Sequence, residues 1–376
     1  MPSQAKIVRL TTDARARAVL VPWVLSRGIV VLALVLTRHV LRARSATPLP
    51  IQARMGLLGW DAAWYRDIAQ GGYGSVPKVG LRFFPLFPLI ARVVSWLPGV
   101  SAGTAVVVVS NVSALVVGVL VYELARREGR DHELARRAVW ILYLAQTAFV
   151  LVMGYAEGTF MVATVVALLA LRGRRWWIAA LAGLLAGLIR PVGLLLVVPA
   201  VFEVWRARAT ATRRDYAALA GAVAGPVLGT GAYLVWAEHR SGDLSYPLSV
   251  QQASASRGGW IDPFRAVWRA ARLAADGGHL SAGIHVVTAT VLVVLIVVCW
   301  RRWPASFTAY AIAVAVVGLS ARNLDSLERY SLSTVPLVLA AADLTGGGTR
   351  ERVVLVALGA VLVACSVLAF SGLLVP

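Results

Sequence analysis

Long apolar runs that alternate with short bursts of arginine leave this chain few ways to fold. Several runs approach the roughly 20 residues that an α-helix needs to cross the hydrocarbon of a bilayer. Inside lipid every backbone amide must find its partner within the chain, so such runs are helices. Hydrophobic residues make up 59% of the 376, more than one soluble core could hide. The pattern predicts an all-α polytopic membrane protein with about eleven transmembrane helices, one domain over residues 1–376.

The expected spans fall at about 18–39, 102–124, 138–154, 157–171, 176–190, 191–205, 216–237, 282–300, 304–320, 331–345 and 353–373. Arginine bursts such as Arg126, Arg127, Arg130, Arg136 and Arg137 mark cytoplasmic loops by the positive-inside rule. The N-terminus is then inside and the C-terminus outside, and the arginine-rich composition suits a bacterial inner (plasma) membrane. Lys6, Arg9, Arg15 and Arg17 precede the first run. Its length, with no small-residue cleavage site after it, predicts a retained helix rather than a signal peptide.

Two large outer loops remain, 40–101 and about 238–281. Within the first, 83–97 is apolar but short, broken by Pro85 and Pro88, and carries Arg92. Were it a span, the burst after residue 124 would face outward, so it is expected to lie along the outer interface or to be re-entrant. In the second, Phe264, Val267, Trp268 and Ala271 share one helical face and Arg265, Arg269 and Arg272 another, which predicts an interfacial helix. The stretch 176–205 is short for two crossings. A single crossing would put Arg206, Arg208, Arg213 and Arg214 outside, so two helices with a break at Arg190-Pro191 are expected. Gly221, Gly225 and Gly229 form a ridge for close helix packing.

The densest chemical cluster is Trp60-Asp61 with Trp64 and Tyr65. Aromatic rings stack on the C–H faces of a sugar, and a carboxylate among them can take a hydroxyl proton. Burial against the indoles would make Asp61 a better general base. The competing view is an interfacial aromatic belt in which Asp61 caps a helix starting at Ala62. Asp67 is read as solvated or paired with Arg66. Charged residues in or beside apolar runs are costly and are functional candidates by default. They are Arg27 in the first run, Glu157 beside Tyr155, and Arg190 at the helix break. Arg190 either holds an anionic headgroup, for which guanidinium has matching geometry, or pairs with Glu157. Arg27 is expected to be structural. Later in the chain come Gln251, Arg257 and Trp260 in the second outer loop, then Arg322, Asp325, Glu328, Arg329 and Tyr330. Taken alone, the latter group reads as a solvated loop.

Several chemistries are not expected. There is no phosphate-binding glycine loop, no His-Glu-x-x-His and no nucleophile elbow, which disfavours ATP hydrolysis and zinc proteolysis. Cys299 and Cys365 each fall in a span, and His39, His132, His239, His279 and His285 lack metal-ligand spacing. No metal or cofactor is expected. The net charge of +19 from 37 basic residues would suggest nucleic acid in a soluble chain. Here the arginines sit in membrane loops, so no nucleic-acid partner is expected.

Trp60-Asp61, Tyr65, Ile68-Ala69 and Gly72-Tyr73, followed by Phe83-Phe84-Pro85-Leu86-Phe87-Pro88, resemble the PIG-V-type mannosyltransferases of the GT-C superfamily, which include GPI mannosyltransferase 2 and bacterial relatives. Tyr155-Ala156-Glu157-Gly158-Thr159-Phe160 is similar to the family's Tyr-Ser-Glu-x-x-Phe, with Ala156 in place of the serine. Gly187 to Gly193, centred on Arg190-Pro191, resembles its Arg-x-x-Gly helix break, and Arg329-Tyr330 with Pro336 its last motif. Gln146-Thr147-Ala148-Phe149 departs from the Pro-x-Ser-Phe-like run of many members.

The resemblance implies a GT-C-like fold. It also implies transfer of a mannosyl residue from polyprenyl-phosphate mannose to an extracytoplasmic hydroxyl of a glycolipid, lipoglycan or protein. Asp61 would act as the base in a single displacement that inverts the anomeric centre. Arg190 and Arg329, with Arg82 and Arg257 behind them, would stabilise the leaving phosphate. Trp60, Trp64, Tyr65, Tyr155, Glu157, Gln251, Trp260 and Tyr330 are candidates for holding sugar or acceptor. Two other functions compete. A transporter or flippase of a lipid-linked anion would explain the intramembrane charges but expects paired broken helices in two related halves. A non-catalytic partner of another glycosyltransferase would tolerate loss of Asp61.

Overall fold

The computed structural model describes residues 4–44, 48–212, 215–253, 257–277 and 280–376. Arg213, Arg214 and His279 therefore lie outside the described residues. Apolar runs with no internal polar partners close into helices. In chain order these are α1 (Gln4–Ala43), α2 (Ile51–Met55), α3 (Asp61–Gly71), α4 (Leu86–Val94), α5 (Ala102–Arg127), α6 (His132–Leu144), α7 (Glu157–Arg172), α8 (Trp176–Ile189), α9 (Val197–Ala207), α10 (Asp215–Ser241), α11 (Tyr246–Ser249), α12 (Pro263–Ala275), α13 (Leu280–Arg302), α14 (Ala305–Leu319), α15 (Leu327–Ser333), α16 (Val335–Thr345) and α17 (Thr349–Phe370). Among the described residues there is no strand, only one isolated bridge between Trp260 and Ala321.

Five helical stretches are long and apolar enough to cross a membrane: Ala14–Ala43, Ala102–Arg127, Asp215–Ser241, Ser281–Arg302 and Thr349–Phe370. They expose apolar faces, such as Val24 and Leu32 on α1, Val112 on α5, Leu228 on α10, Val287 on α13 and Val356 on α17. Surface of that kind is stable against lipid rather than water. The protein is a multi-pass membrane protein. The other expected spans are also helical, but shorter or interrupted. The span at 138–154 stops at Leu144 and continues as a 3-10 turn, Ala148–Leu151. Pro191 lacks an N–H and forces Arg190 into extended backbone (φ −151°, ψ 147°), so the 191–205 segment opens as a 3-10 turn before α9. The span at 331–345 is split at Thr334, with Pro336 in the first turn of α16.

The expected segment 83–97 contains α4, nine residues long and too short to cross. It exposes Leu89 and Val93 while burying Phe87 and Ala91. α12 forms where expected. Ala266 and Ala270 are buried, whereas Phe264 and Trp268 are 86% and 63% exposed, the apolar face that an interfacial helix presents to lipid.

Arginines of the bursts are fastened at one end of the bundle. Arg136 and Arg137 both grip Glu351 at the start of α17. Arg172, at the end of α7, bridges Glu128 at 2.8 Å and Glu203 at 3.3 Å. Arg130 lies over the Trp303 ring at 4.4 Å. α7 ends here and α8 begins here, so Glu157 and Arg190 are carried to the opposite end.

α8 and α10 pack closely because of the glycine ridge. A Cβ at Gly225 or Gly229 would fall on the carbonyl oxygens of Ala180 and Leu184, and one at Gly221 would meet Trp177 at 3.2 Å. Gly231, on the same helix, has open space around it. Gly229→Leu should lower the melting temperature in detergent sharply, since overpacking costs about 1–3 kcal/mol or more. Gly231→Ala should leave it unchanged or raise it slightly.

Candidate functional site

The site begins at a strained residue. Trp60 has φ 56° and ψ −128°, a conformation uncommon for a non-glycine residue. Its surroundings over-determine it: the backbone N–H donates to Gln52 Oε1 at 2.9 Å, and the indole Nε1–H donates to the Ala369 carbonyl of α17 at 3.0 Å. α3 then starts at Asp61, with no side-chain capping bond at its N-terminus. The expected cap role of Asp61 is thus not realised. Its carboxylate turns outward from the helix instead. Oδ2 accepts from Arg329 Nη1 at 2.7 Å, and Oδ1 lies 4.0 Å from Arg82 Nη2. The carboxylate faces guanidinium groups rather than a wall of indoles, which corrects the expected apolar setting.

Arg329 is the centre of the network. Nη1 also donates to Glu157 Oε1 at 3.4 Å, and Nη2 donates to Ser326 Oγ at 3.0 Å. Burial by itself would lower its pKa, but the Asp61 and Glu157 carboxylates outweigh that and raise it. Glu157 sits at the N-terminus of α7, 2% exposed, where the helix dipole favours a carboxylate. It also accepts from Arg190 Nη1. Arg190 itself lies over the Tyr330 ring at 5.6 Å and the Phe160 ring at 5.8 Å. Of the two sequence alternatives for Arg190, the pair with Glu157 is present, and the side chain also lines the cavity described next. The solvated-loop expectation holds for the exposed Arg322 but is overturned for 327–330. Glu328, Arg329 and Tyr330 are buried, because α15 brings them against the α3 and α7 carboxylates and the α13 histidine.

These residues enclose a cavity of about 460 Å³. Trp60, Asp61, Trp64, Tyr65, Arg82, Arg190, Gln251, Arg257, Arg329 and Tyr330 line it. Arg82 lies over Phe83 at 4.8 Å, and Arg257 over Tyr330 at 5.1 Å. Arg257 also donates to the Val317 carbonyl at 2.7 Å. Trp64 stacks on Phe83 with centroids 5.6 Å apart. Tyr65 meets Phe83 and Phe87 edge-on, and burial raises its phenol pKa, keeping it a donor at neutral pH. Four guanidinium groups thus face the cavity against two carboxylates, Asp61 and Asp325.

Three expected site residues are placed differently. Tyr155 and Glu157 stand behind the wall, 1% and 2% exposed. Tyr155 accepts from the Asp61 backbone N–H at 3.3 Å, so it positions the aspartate rather than touching a ligand. Trp260 lines a neighbouring apolar cavity of about 210 Å³, together with Leu194, Leu195, Leu248 and Val317. The two cavities share Pro191, Gln251, Arg257 and Tyr330. Two side expectations hold. Asp67 pairs with Arg66 at 2.8 Å, and Arg27 is structural, tying α1 to Asn111 at 3.0 Å and to the Leu151 carbonyl at 2.7 Å. Sequence reasoning missed Gln52, Asn323 and Ser326 in the wall. Only their nearness in sequence to Trp60 and Arg329 could have pointed to them.

No family model matches the chain, and no curated protein matches it. Among solved structures, ArnT from Cupriavidus metallidurans bound to undecaprenyl phosphate is similar, with a TM-score of 0.53 and 17% sequence identity over 97% of this chain. The fold is GT-C-like. The chain spans 64% of the length of that ArnT chain.

Glu157 is the buried anion between two arginines. Glu157→Ala should destabilise the protein by about 3–5 kcal/mol, because it leaves buried guanidinium charge without its partner. Thermal unfolding in detergent reads this. A change under about 1 kcal/mol would mean that the network is solvated.

Proposed function

We propose that the protein transfers a sugar from a polyprenyl-phosphate donor to an acceptor hydroxyl, at the membrane face opposite the arginine bursts. The observation that carries this is the cavity itself: a carboxylate held among arginines, opening beside an apolar cavity, in a GT-C-like fold. Guanidinium groups match phosphate geometry. The adjoining apolar cavity suits the start of a prenyl chain, with Arg257 and Tyr330 at the junction. By the positive-inside rule the cavity end of the bundle is the outer one, which suits an acceptor outside the cytoplasm of a bacterium.

The chemistry is one displacement. Asp61 takes the proton of the acceptor hydroxyl as that oxygen bonds to the anomeric carbon. The bond from that carbon to the phosphate oxygen breaks, and its electron pair leaves with the polyprenyl phosphate. Arg329, Arg82, Arg190 and Arg257 stabilise the charge that grows there. The anomeric centre inverts. A phosphate arriving at Arg329 competes with Asp61 for the same Nη1, so donor binding frees the carboxylate for its role as base. The resemblance of its motifs to those of PIG-V-type enzymes favours mannose as the sugar, and a glycolipid, lipoglycan or protein as the acceptor. No metal or cofactor enters this scheme.

The test is to incubate membranes containing the chain with labelled polyprenyl-phosphate mannose and to identify the labelled product. Asp61→Asn should keep the thermal stability within a few degrees and reduce transfer at least ~10³-fold, as loss of a general base together with its charge would. Retained transfer would contradict the assignment of Asp61.

A further inference from the structure

One of the two carboxylates at the cavity is unused by this scheme. Asp325 lines the cavity on the turn that leads into α15. Its Oδ1 lies 3.2 Å from His285 Nε2, and His285 Nδ1 lies 2.9 Å from Glu328 Oε1. His285 and Glu328 are 4% and 5% exposed. For both contacts to be hydrogen bonds each needs a proton. That means either an imidazolium between two carboxylates, or a neutral ring with one carboxylic acid. In both cases the trio keeps a single negative charge. The second oxygen of Asp325 accepts from Asn323 Nδ2 at 2.5 Å.

An arrangement of this kind costs desolvation, and apolar side chains would pack α13 against α15 without that cost. What it secures is the direction of Asp325. The carboxylate has about four acceptor positions. His285 and Asn323 take two, and the side chain remains 28% exposed on its open side. Asp61, by contrast, is engaged by guanidinium groups. The two carboxylates of the cavity therefore differ in their partners: Asp61 is gripped by guanidinium groups, while Asp325 is held by an imidazole and an amide and stands away from Arg329 Nη1.

We propose that Asp325, aimed by His285 and Asn323, accepts hydrogen bonds from the hydroxyls of the sugar carried on the lipid phosphate. This rests on the function proposed above. The negative trio repels a phosphate, which is drawn instead to the arginines. Arg329 follows Asp325 by four residues, and its Nη2 holds Ser326 Oγ at 3.0 Å. A phosphate drawn to Arg329 leaves the attached sugar beside Asp325, where adjacent hydroxyls can each donate to a carboxylate oxygen. His285 is then a positioning residue acting through Asp325.

The experiment is binding of two probes to the purified full chain: undecaprenyl phosphate, and the same lipid phosphate carrying mannose. The wild type should bind the mannosyl form more tightly than the bare lipid. Asp325→Asn should weaken the mannosyl form ~10-fold, as loss of charge-assisted hydrogen bonds does, and leave the bare lipid within twofold. His285→Ala should reproduce that selective loss, and the double variant should be no worse than Asp325→Asn, since both act through one carboxylate. Equal weakening of both probes would show a merely structural cluster and overturn the proposal. So would an unchanged mannosyl affinity in Asp325→Asn. A wild type that binds neither probe would instead overturn the function on which the proposal rests.

Discussion

Everything at the site depends on Arg329 being shared between two carboxylates that come from different helices. Asp61 opens α3, Glu157 opens α7, and Arg329 sits in α15. Its Nη1 reaches both, at 2.7 Å and 3.4 Å. In a bundle whose outer faces are apolar, a buried guanidinium without partners would be too costly to keep. The pairing fixes where the three helix ends meet, and so fixes the cavity. It also leaves one of the two carboxylates, Asp61, facing that cavity while the other is sealed behind it.

The rest of the architecture serves that meeting point. The strained Trp60 is nailed to Gln52 and to α17, which sets the start of α3. Pro191 breaks the chain after α8 and leaves Arg190 extended, so that its side chain reaches Glu157 and the cavity together. The glycine ridge of α10 lets α8 come close enough to hold that break in place. The arginine bursts, clamped to Glu351, Glu128 and Glu203 at the far end, keep the bundle in register.

Much of this was legible in the sequence, for physical reasons. Apolar run length and arginine placement fix the helices and their alternation. Pro191 announces its break, and Gly221, Gly225 and Gly229 announce their packing, because both are local backbone effects. Asp61 could be anticipated from the aromatic residues around it, Arg190 as a costly charge beside an apolar run, and Arg329 only from motif resemblance. The illegible part is what depends on distant residues meeting. Near Leu144 only the polar pair Gln146-Thr147 interrupts the apolar run, and with no proline or glycine beside it the break is weakly marked. Asp325, Glu328 and Arg329 look like part of a solvated loop until α13 and α7 supply His285 and Glu157 to pair with them. Tyr155 and Glu157 were expected to touch ligand, and pairing with Asp61 and Arg329 instead places them behind the wall.

The central claim is that Asp61 and an incoming lipid phosphate compete for Arg329. Binding of undecaprenyl phosphate to the wild type and to Asp61→Asn measures this directly. The account predicts that removing the aspartate charge tightens binding of the bare lipid phosphate several-fold, because a guanidinium no longer has to leave its ion pair. Weaker or unchanged binding in Asp61→Asn would contradict it.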